Sequence, residues 1–252
     1  MDDFLHKTIG PLVLEKFVIS SIIVFFSGWT ILLFLVFGGR RNKIKWESRR
    51  QKMQPILQKQ FYSLLFEDLS DELWKERMAP MKQLKGKQKK WALEILLQLK
   101  RQYTGFCGER MVKIFEDSGW KHQFMEQLQQ SNWHEKSKAI RTLAEMDQLD
   151  EYSTIQPFLI HENDMVRDES AVAMIRLKGF RAILDLQKME GKLSEWSQIQ
   201  IIQALKTQEE QEKKWIYPLV VNSNPSLKQL GQRLLTAMDP EEYVITTLEQ
   251  TK

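Results

Sequence analysis

The sequence predicts an all-α protein with a single N-terminal transmembrane helix, followed by an α-solenoid of stacked helical pairs. Residues 17–37 contain no charged side chain, and the stretch 155–177 resembles the stretch 216–238. After residue 50 the chain is rich in the helix formers Leu, Gln, Glu, Lys, Ile and Met. The predicted order is an extracytoplasmic N-terminus (1–16), a transmembrane helix (17–37), a basic juxtamembrane linker with helices (38–86) and the solenoid domain (87–252).

The uncharged run is the first element. It extends from Phe17 to Phe37, which as a helix is long enough to cross the roughly 30 Å apolar core of a bilayer. A cleaved signal peptide is the alternative, but it carries its positive charge before the apolar run and a small-residue cleavage site after it. Here the order is reversed, which favours an uncleaved span. The basic residues that follow the run are Arg40, Arg41, Lys43, Lys45, Arg49, Arg50 and Lys52, opposed only by Glu47.

The basic cluster also predicts orientation, because Lys and Arg are retained on the cytoplasmic side. The N-terminus should face out, and the chain after Arg40 should be cytoplasmic. The cluster is either a topology signal alone or a contact for anionic lipid, at about 1 kcal/mol per basic residue near the surface. The predicted headgroup contacts are Arg40, Arg41, Lys43, Lys45 and Trp46.

The region after the linker reads as a series of helices. Pro55 fits the first turn of one helix, and Ala79-Pro80 should end another that begins at Asp71. From there short connections separate the helices, which implies antiparallel neighbours. The predicted ranges are 88–103, 105–117, 120–130, 132–146, 151–161, 164–178, 180–189, 194–207, 210–221, 225–238 and 240–249.

Two of these stretches align without a gap at a constant offset, 218 − 157 = 61. This offset is close to twice the period of about 30–35 residues that is typical of stacked helical pairs. Val166 and Leu227 should then be buried, whereas Arg167 and Lys228 should be partly exposed. The matching pairs are Ile155 and Ile216, Pro157 and Pro218, Phe158 and Leu219, Asn163 and Asn224, Val166 and Leu227, Arg167 and Lys228, Met174 and Leu235, and Leu177 and Met238.

These residues resemble a known repeat. The run 163–167, Asn-Asp-Met-Val-Arg, followed by Ala171 and Ala173, resembles the first helix of a HEAT repeat, and 155–159 resembles the second helix of the preceding one. The blocks 131–146 and 193–205 are similar to membrane-anchored HEAT-repeat proteins of Bacteroidetes-type bacteria, and the resemblance as a whole covers about 88–249. It implies a bacterial inner-membrane location and no assignable activity. A loose association with polysaccharide synthesis makes a membrane glycosyltransferase one candidate partner.

Residues with catalytic or metal-binding chemistry are sparse. The four histidines have none of the usual zinc spacings, and the glycines match no phosphate-binding loop. Cys107 lies in no His–Cys motif and reads as a small buried residue, while a single cysteine agrees with a reducing compartment. The run 161–164, His-Glu-Asn-Asp, reads as a polar turn between repeats. We therefore expect no catalytic, cofactor or metal site, and no enzyme activity.

Tryptophan is frequent, with eight Trp residues in a chain of 252 residues. Five of these side chains fall near predicted helix starts, where they are either structural fillers between stacked helices or aromatic anchors for a partner. The first interpretation is favoured. The five are Trp91, Trp120, Trp133, Trp196 and Trp215.

The predicted function is a membrane-anchored cytoplasmic scaffold that binds a protein through its repeat surface, and this partner is expected to be membrane-associated as well. The alternative is a helical-repeat enzyme of glycosylase or lyase type, or a nucleic-acid-binding protein. It would need an acid in a groove, and Asp185 shows no companion in the sequence. The net charge of the chain is +4, and the juxtamembrane cluster alone contributes 7 − 1 = +6, so the rest of the chain is near neutral. A near-neutral domain argues against binding to nucleic acid. No small-molecule substrate is expected. The predicted partner contacts are Arg181, Lys188, Lys213, Lys214 and Tyr217.

Overall fold

A computed structural model of the chain describes residues 2–130, 132–208 and 213–238, without the side chains of 2–14, 36–43, 45 and 213. The regular structure in these ranges is helical, with no strand. The chain divides into two compact units, Met1–Gln58 and Lys59–Lys252. The predicted helix 240–249 lies outside the described residues.

The first helix, α1, runs without a break from Asp2 to Phe66. The expectation that Pro55 would stand in the first turn of a helix is therefore wrong, since Pro55 lies inside α1, and the basic stretch 38–52 is helical as well. An internal proline removes one backbone hydrogen bond. The Lys-, Arg- and Gln-rich residues on either side are good helix formers, which agrees with a helix that continues through this position.

Within α1 the segment Glu15–Leu35 is long and apolar enough to cross a membrane, with a mean hydropathy of 2.3. None of it is buried by the rest of the protein. Three of its four hydroxyl groups, those of Ser21, Ser27 and Thr30, donate hydrogen bonds to carbonyls three or four residues earlier in the helix, at 2.7–2.9 Å. Polar groups paired in this way are compatible with an apolar environment.

Four helices follow: α2 (Asp71–Lys82), α3 (Gly86–Gln102), α4 (Phe106–Asp117) and α5 (Trp120–Leu128). Pro80 does not end α2 as predicted, because the helix includes it and continues to Lys82. The side chain of Arg110 on α4 donates to the carbonyls of Leu64, Leu65 and Glu67. It thereby satisfies groups that the end of α1 leaves without helical partners.

The remaining helices alternate between long and short. The long ones, called here the first helices, are α6 (Trp133–Glu145), α8 (Asp164–Lys178), α10 (Glu195–Lys206) and α12 (Pro225–Met238). They are joined by three second segments that mix 3-10 turns with short helices. These are 149–160 with α7 (Tyr152–Ile155), 179–186 with α9 (Ile183–Leu186), and 213–220 with α11 (Tyr217–Val220). From residue 86 to 238, the predicted helix boundaries lie close to the observed ones.

The starting positions of the first helices are almost evenly spaced along the chain, since 164 − 133 = 31, 195 − 164 = 31 and 225 − 195 = 30. Each is preceded by a residue whose side chain accepts a hydrogen bond from the first turn. This is the N-cap arrangement that Asn and Ser favour. The four capping residues are Asn132, Asn163, Ser194 and Asn224.

Packing follows the order of the chain. Helix α6 packs against α8, α8 against α10 and α10 against α12. The carboxylate of Asp168, early in α8, accepts hydrogen bonds from the backbone N–H and hydroxyl groups at the start of α10. Near the other end of α8, Arg176 lies 3.5 Å from Glu145, the last residue of α6. Neighbouring first helices therefore run parallel, start beside start and end beside end.

Two equivalent positions show how closely the second segments approach the first helices. Ser170 and Gly231 match in the alignment of the two similar stretches, and both are buried. The hydroxyl of Ser170 donates to the carbonyl of Ile155 at 3.0 Å. At Gly231 a Cβ atom would lie only 2.8 Å from the backbone nitrogen of Val220. Both stretches thus place a small residue where a preceding second segment crosses.

The burial predictions are confirmed for Val166 and Leu227, each 0% exposed, and for Lys228, which is exposed. The prediction for Arg167 is wrong, because this side chain is buried with the residue only 8% exposed. Its guanidinium donates to the carbonyl of His161 at 2.9 Å and pairs with Asp164. It also lies against Gly191, where a Cβ atom would meet Cζ at 2.8 Å. Arg167 is therefore held between two loops.

Candidate protein-binding surface

The second segment 179–186 presents a face with exposed cations. Its 3-10 turn continues directly into α9, so residues three or four apart share one side. Arg181, Leu184 and Lys188 follow this spacing and are all exposed, Leu184 by 44%. Two of the five predicted partner contacts, Arg181 and Lys188, are therefore brought together on one face.

Asp185 organises this face. Its carboxylate accepts hydrogen bonds from the Tyr152 hydroxyl at 2.7 Å, the Gln156 amide nitrogen at 2.7 Å and the Lys188 ammonium at 3.0 Å. The sequence showed no companion that would make Asp185 a catalytic acid, and the structure pairs its carboxylate with these three donors of its own chain. Two of the companions come from the preceding second segment, about one helix-to-helix interval earlier in the chain. The local sequence around Asp185 carries no signal for this pairing. The regular spacing of the helices is the one feature of the sequence that could have predicted it.

The cluster also includes Lys178, the last residue of α8. Its ammonium nitrogen lies 3.6 Å from the centre of the Tyr152 ring, a cation–π contact. The Lys178, Tyr152 and Asp185 side chains thus join α8 to two successive second segments. This set of contacts, called here the clasp, links one second segment to the next.

Protonation follows from these contacts. Burial, together with the hydrogen bond to Asp185, raises the pKa of the Tyr152 hydroxyl. For Asp185, partial burial opposes ionisation. The hydrogen bonds from Tyr152 and Lys188 and the charges of Lys188 and Lys178 outweigh it, so the pKa of this carboxyl lies below its ordinary value. At neutral pH Tyr152 is a neutral donor and Asp185 a charged acceptor, and the carboxylate is already committed to three donors.

The other predicted partner contacts belong to the next second segment, 213–220. Lys214 is exposed, with its ammonium nitrogen 5.3 Å from the Trp215 ring centre. Tyr217 is also exposed. The side chain of Lys213 lies outside the described residues. These positions lie one segment beyond Arg181 and Lys188.

The predicted lipid contacts lie on α1. The side chains of Arg40, Arg41, Lys43 and Lys45 are outside the described residues, so headgroup binding by them stays a prediction. Trp46 is exposed, and the guanidinium carbon of Arg49 lies 5.4 Å from its ring centre.

The tryptophans divide between two roles. Trp120 is buried and fills the core, as predicted for a structural filler. Trp133 and Trp196 are 46% and 68% exposed, so that interpretation is wrong for them. Each stands in the first turn of a first helix, and because those helices run parallel, both lie at the same end of the helix row. Trp91 and Trp215 are partly buried.

The described residues offer little catalytic chemistry. Cys107 is half-buried and not buried as predicted. No group of three or more His, Cys, Asp and Glu side chains in the described ranges could hold a metal ion. In the polar turn, the Nδ1 atom of His161 accepts the backbone N–H of Asn163 at 3.0 Å, which gives that histidine a structural contact.

A charged groove of about 500 Å³ crosses the ends of α3, α6, α8 and α10. Glu145 lies in it and accepts two hydrogen bonds from Arg101, at 2.9 and 3.0 Å, with Arg176 3.5 Å away. Basic side chains near helix C-termini stabilise the helix dipole, so the groove has a structural explanation. Asp185 does not line it.

Comparison of the chain with protein-family models, curated proteins and solved structures finds no match. The resemblance to HEAT repeats therefore stays a prediction. The interpretation of function depends on the packing and surface chemistry described above.

Proposed function

We propose that this chain is a single-pass membrane protein whose HEAT-like α-solenoid domain binds a protein partner. One observation carries the proposal: four capped helices begin at nearly equal intervals along the chain, and each packs on the next. Arrays of this kind contact mainly their neighbours and offer long surfaces for other molecules. The second segments, with Arg181, Leu184 and Lys188, supply the binding surface.

The apolar part of α1, Glu15–Leu35, acts as the anchor. The basic residues after it favour an orientation with the N-terminus outside and the repeat domain in the cytoplasm. In a bacterium this is the inner membrane. A partner already in the membrane is favoured, because tethering both proteins to one surface raises their effective concentration. A membrane glycosyltransferase is the candidate that the family resemblance implies.

The alternative, an enzyme of glycosylase or lyase type, has less support. It would use Asp185 as an acid or base. That carboxylate accepts three hydrogen bonds from its own chain, and its depressed pKa makes it a weak base.

Site-specific photocross-linking in the source cells tests the proposal. A photoreactive phenylalanine analogue is placed at Leu184 or Tyr217, both exposed on second segments. A matched control carries it at Lys90, exposed on α3. We expect one discrete adduct from the two test positions, identified by mass spectrometry, and none from the control. The identified protein should also co-purify in constant ratio with the unmodified chain after detergent extraction. Adducts equally abundant from all three positions, or absent from both test positions, would contradict the proposal.

A further inference from the structure

We infer that the segment around α9 binds an acidic stretch of the partner protein. The binding surface, called here the basic face, consists of Lys178, Arg181, Leu184 and Lys188. This inference rests on the proposed function and adds the chemistry of the partner.

The basic face carries more positive charge than it neutralises. The face holds three cations, Lys178, Arg181 and Lys188, and the carboxylate of Asp185, which forms an ion pair with Lys188, so the charge of these four side chains is 3 − 1 = +2. Arg181 is exposed and makes no hydrogen bond or ion pair with any residue in the described ranges. A guanidinium presents paired N–H donors that match a carboxylate. Charge complementarity therefore points to an anionic occupant.

Asp185 restrains two of the three cations and leaves the face with a net positive charge. It pairs with Lys188 directly, and its hydrogen bond from Tyr152 fixes the ring over which Lys178 lies. Gln156 restrains the same carboxylate. Side chains ordered before binding lose less entropy when a partner arrives, so the clasp preorganises two of the three cations.

The mixed character of the face favours a peptide over a lipid surface or nucleic acid. Leu184 stands between Arg181 and Lys188 and is exposed, so the occupant should offer an apolar side chain between its anions. A row of phosphates would bring no such group. Two Glu or Asp residues flanking an apolar residue satisfy the whole face.

The test uses the full-length protein in nanodiscs of neutral phosphatidylcholine. The probe is a fluorescent synthetic peptide of alternating Glu and Leu, and its control has Gln in place of every Glu. Binding is measured by anisotropy for the parent, for Arg181→Glu and for Lys228→Glu, which reverses an exposed cation on α12. We expect the Glu peptide alone to bind the parent, and Arg181→Glu to weaken it about tenfold or more. Lys228→Glu should stay within about twofold, as expected for an isolated surface charge.

A charge swap gives a second readout. A peptide of alternating Lys and Leu should bind Arg181→Glu better than the parent. Equal binding of the Glu peptide to the parent and Arg181→Glu would overturn the inference, as would no binding to the parent. Arg181-dependent binding of phosphatidylserine vesicles without peptide binding would assign the face to lipid and also overturn it. If the Leu184 cross-link persists in any of these three cases, the proposed function stands and only the acidic partner is wrong.

Discussion

At the scale of single residues, Arg167 and Lys228 show that equivalent positions in two similar stretches need not share a role. Both stand four residues after an Asn cap. Arg167 is buried against Gly191 and bonded to the carbonyl of His161, whereas Lys228 is exposed. Arg167 fits there because Gly191 has no side chain, since a Cβ atom would lie only 2.8 Å from the guanidinium carbon.

Replacement of these two residues by alanine should have unequal effects. Arg167→Ala leaves the carbonyl of His161 without its donor and empties a buried space. We expect a loss of about 1–3 kcal/mol in the free energy of unfolding. Lys228→Ala should change it by no more than about 0.5 kcal/mol. Denaturant unfolding of the detergent-solubilised chain, followed by tryptophan fluorescence, measures both. Equal losses would contradict the buried role of Arg167.

The Tyr152–Asp185 hydrogen bond predicts a pH dependence. The pKa of Tyr152 is raised above its ordinary value of 10.0. Its contribution to stability is therefore complete below about pH 10 and declines above it, where the unfolded chain ionises first. Tyr152→Phe should be less stable than the parent by about 1–2 kcal/mol at pH 8. The difference in the free energy of unfolding between the parent and Tyr152→Phe should become smaller as the pH rises beyond 10. Unfolding experiments at several pH values measure it. A gap independent of pH up to 11 would count against this hydrogen bond.

At the scale of helices and segments, stability should be transmitted between neighbours. Helix α12 packs on α10 and α11, and α6 packs on α5 and α8. The small residues Ser170 and Gly231 let α8 and α12 pack closely against the second segments that precede them. A destabilising substitution at one end of such an array is therefore expected to lower the stability of nearby helices more than that of distant ones.

Leu227→Asp tests this expectation, because it places a charge at a fully buried position. The cost should be several kcal/mol. Hydrogen exchange read by mass spectrometry should show lost protection in α10 and α12, with α3 to α6 largely retained. Lys228→Asp, at the adjacent exposed position, is the control and should leave protection unchanged. Uniform loss of protection across residues 86–238 would show a single cooperative core and count against a solenoid.

At the scale of the whole molecule, the apolar segment of α1 predicts how the protein partitions between membrane and solution. The protein should remain with membranes after washing with high salt or carbonate. Ile23→Lys combined with Phe26→Lys should impair insertion, because each charge near the centre of a span costs about 3 kcal/mol on insertion scales. Fractionation with immunodetection measures both. Glu substitutions at exposed Lys90 and Lys228 are the control and should leave the protein in the membrane fraction. Release of the unmodified protein by salt alone would exclude a transmembrane anchor.

The sequence by itself determined the helical class, the long apolar segment, the positions of most helices after residue 86, and the equivalence of Val166 and Leu227. These features follow from local periodicity, from capping residues and from a constant offset along the chain. They can be predicted without knowing which distant residues come into contact. Only the tertiary structure decided that α1 continues through Pro55, that Arg167 is buried, and that Asp185 meets Tyr152 and Gln156. The contacts of Asp185 join residues on successive second segments, and their pairing depends on how adjacent segments register side by side. Local sequence carries no direct signal of that register, and the candidate surface is built on it.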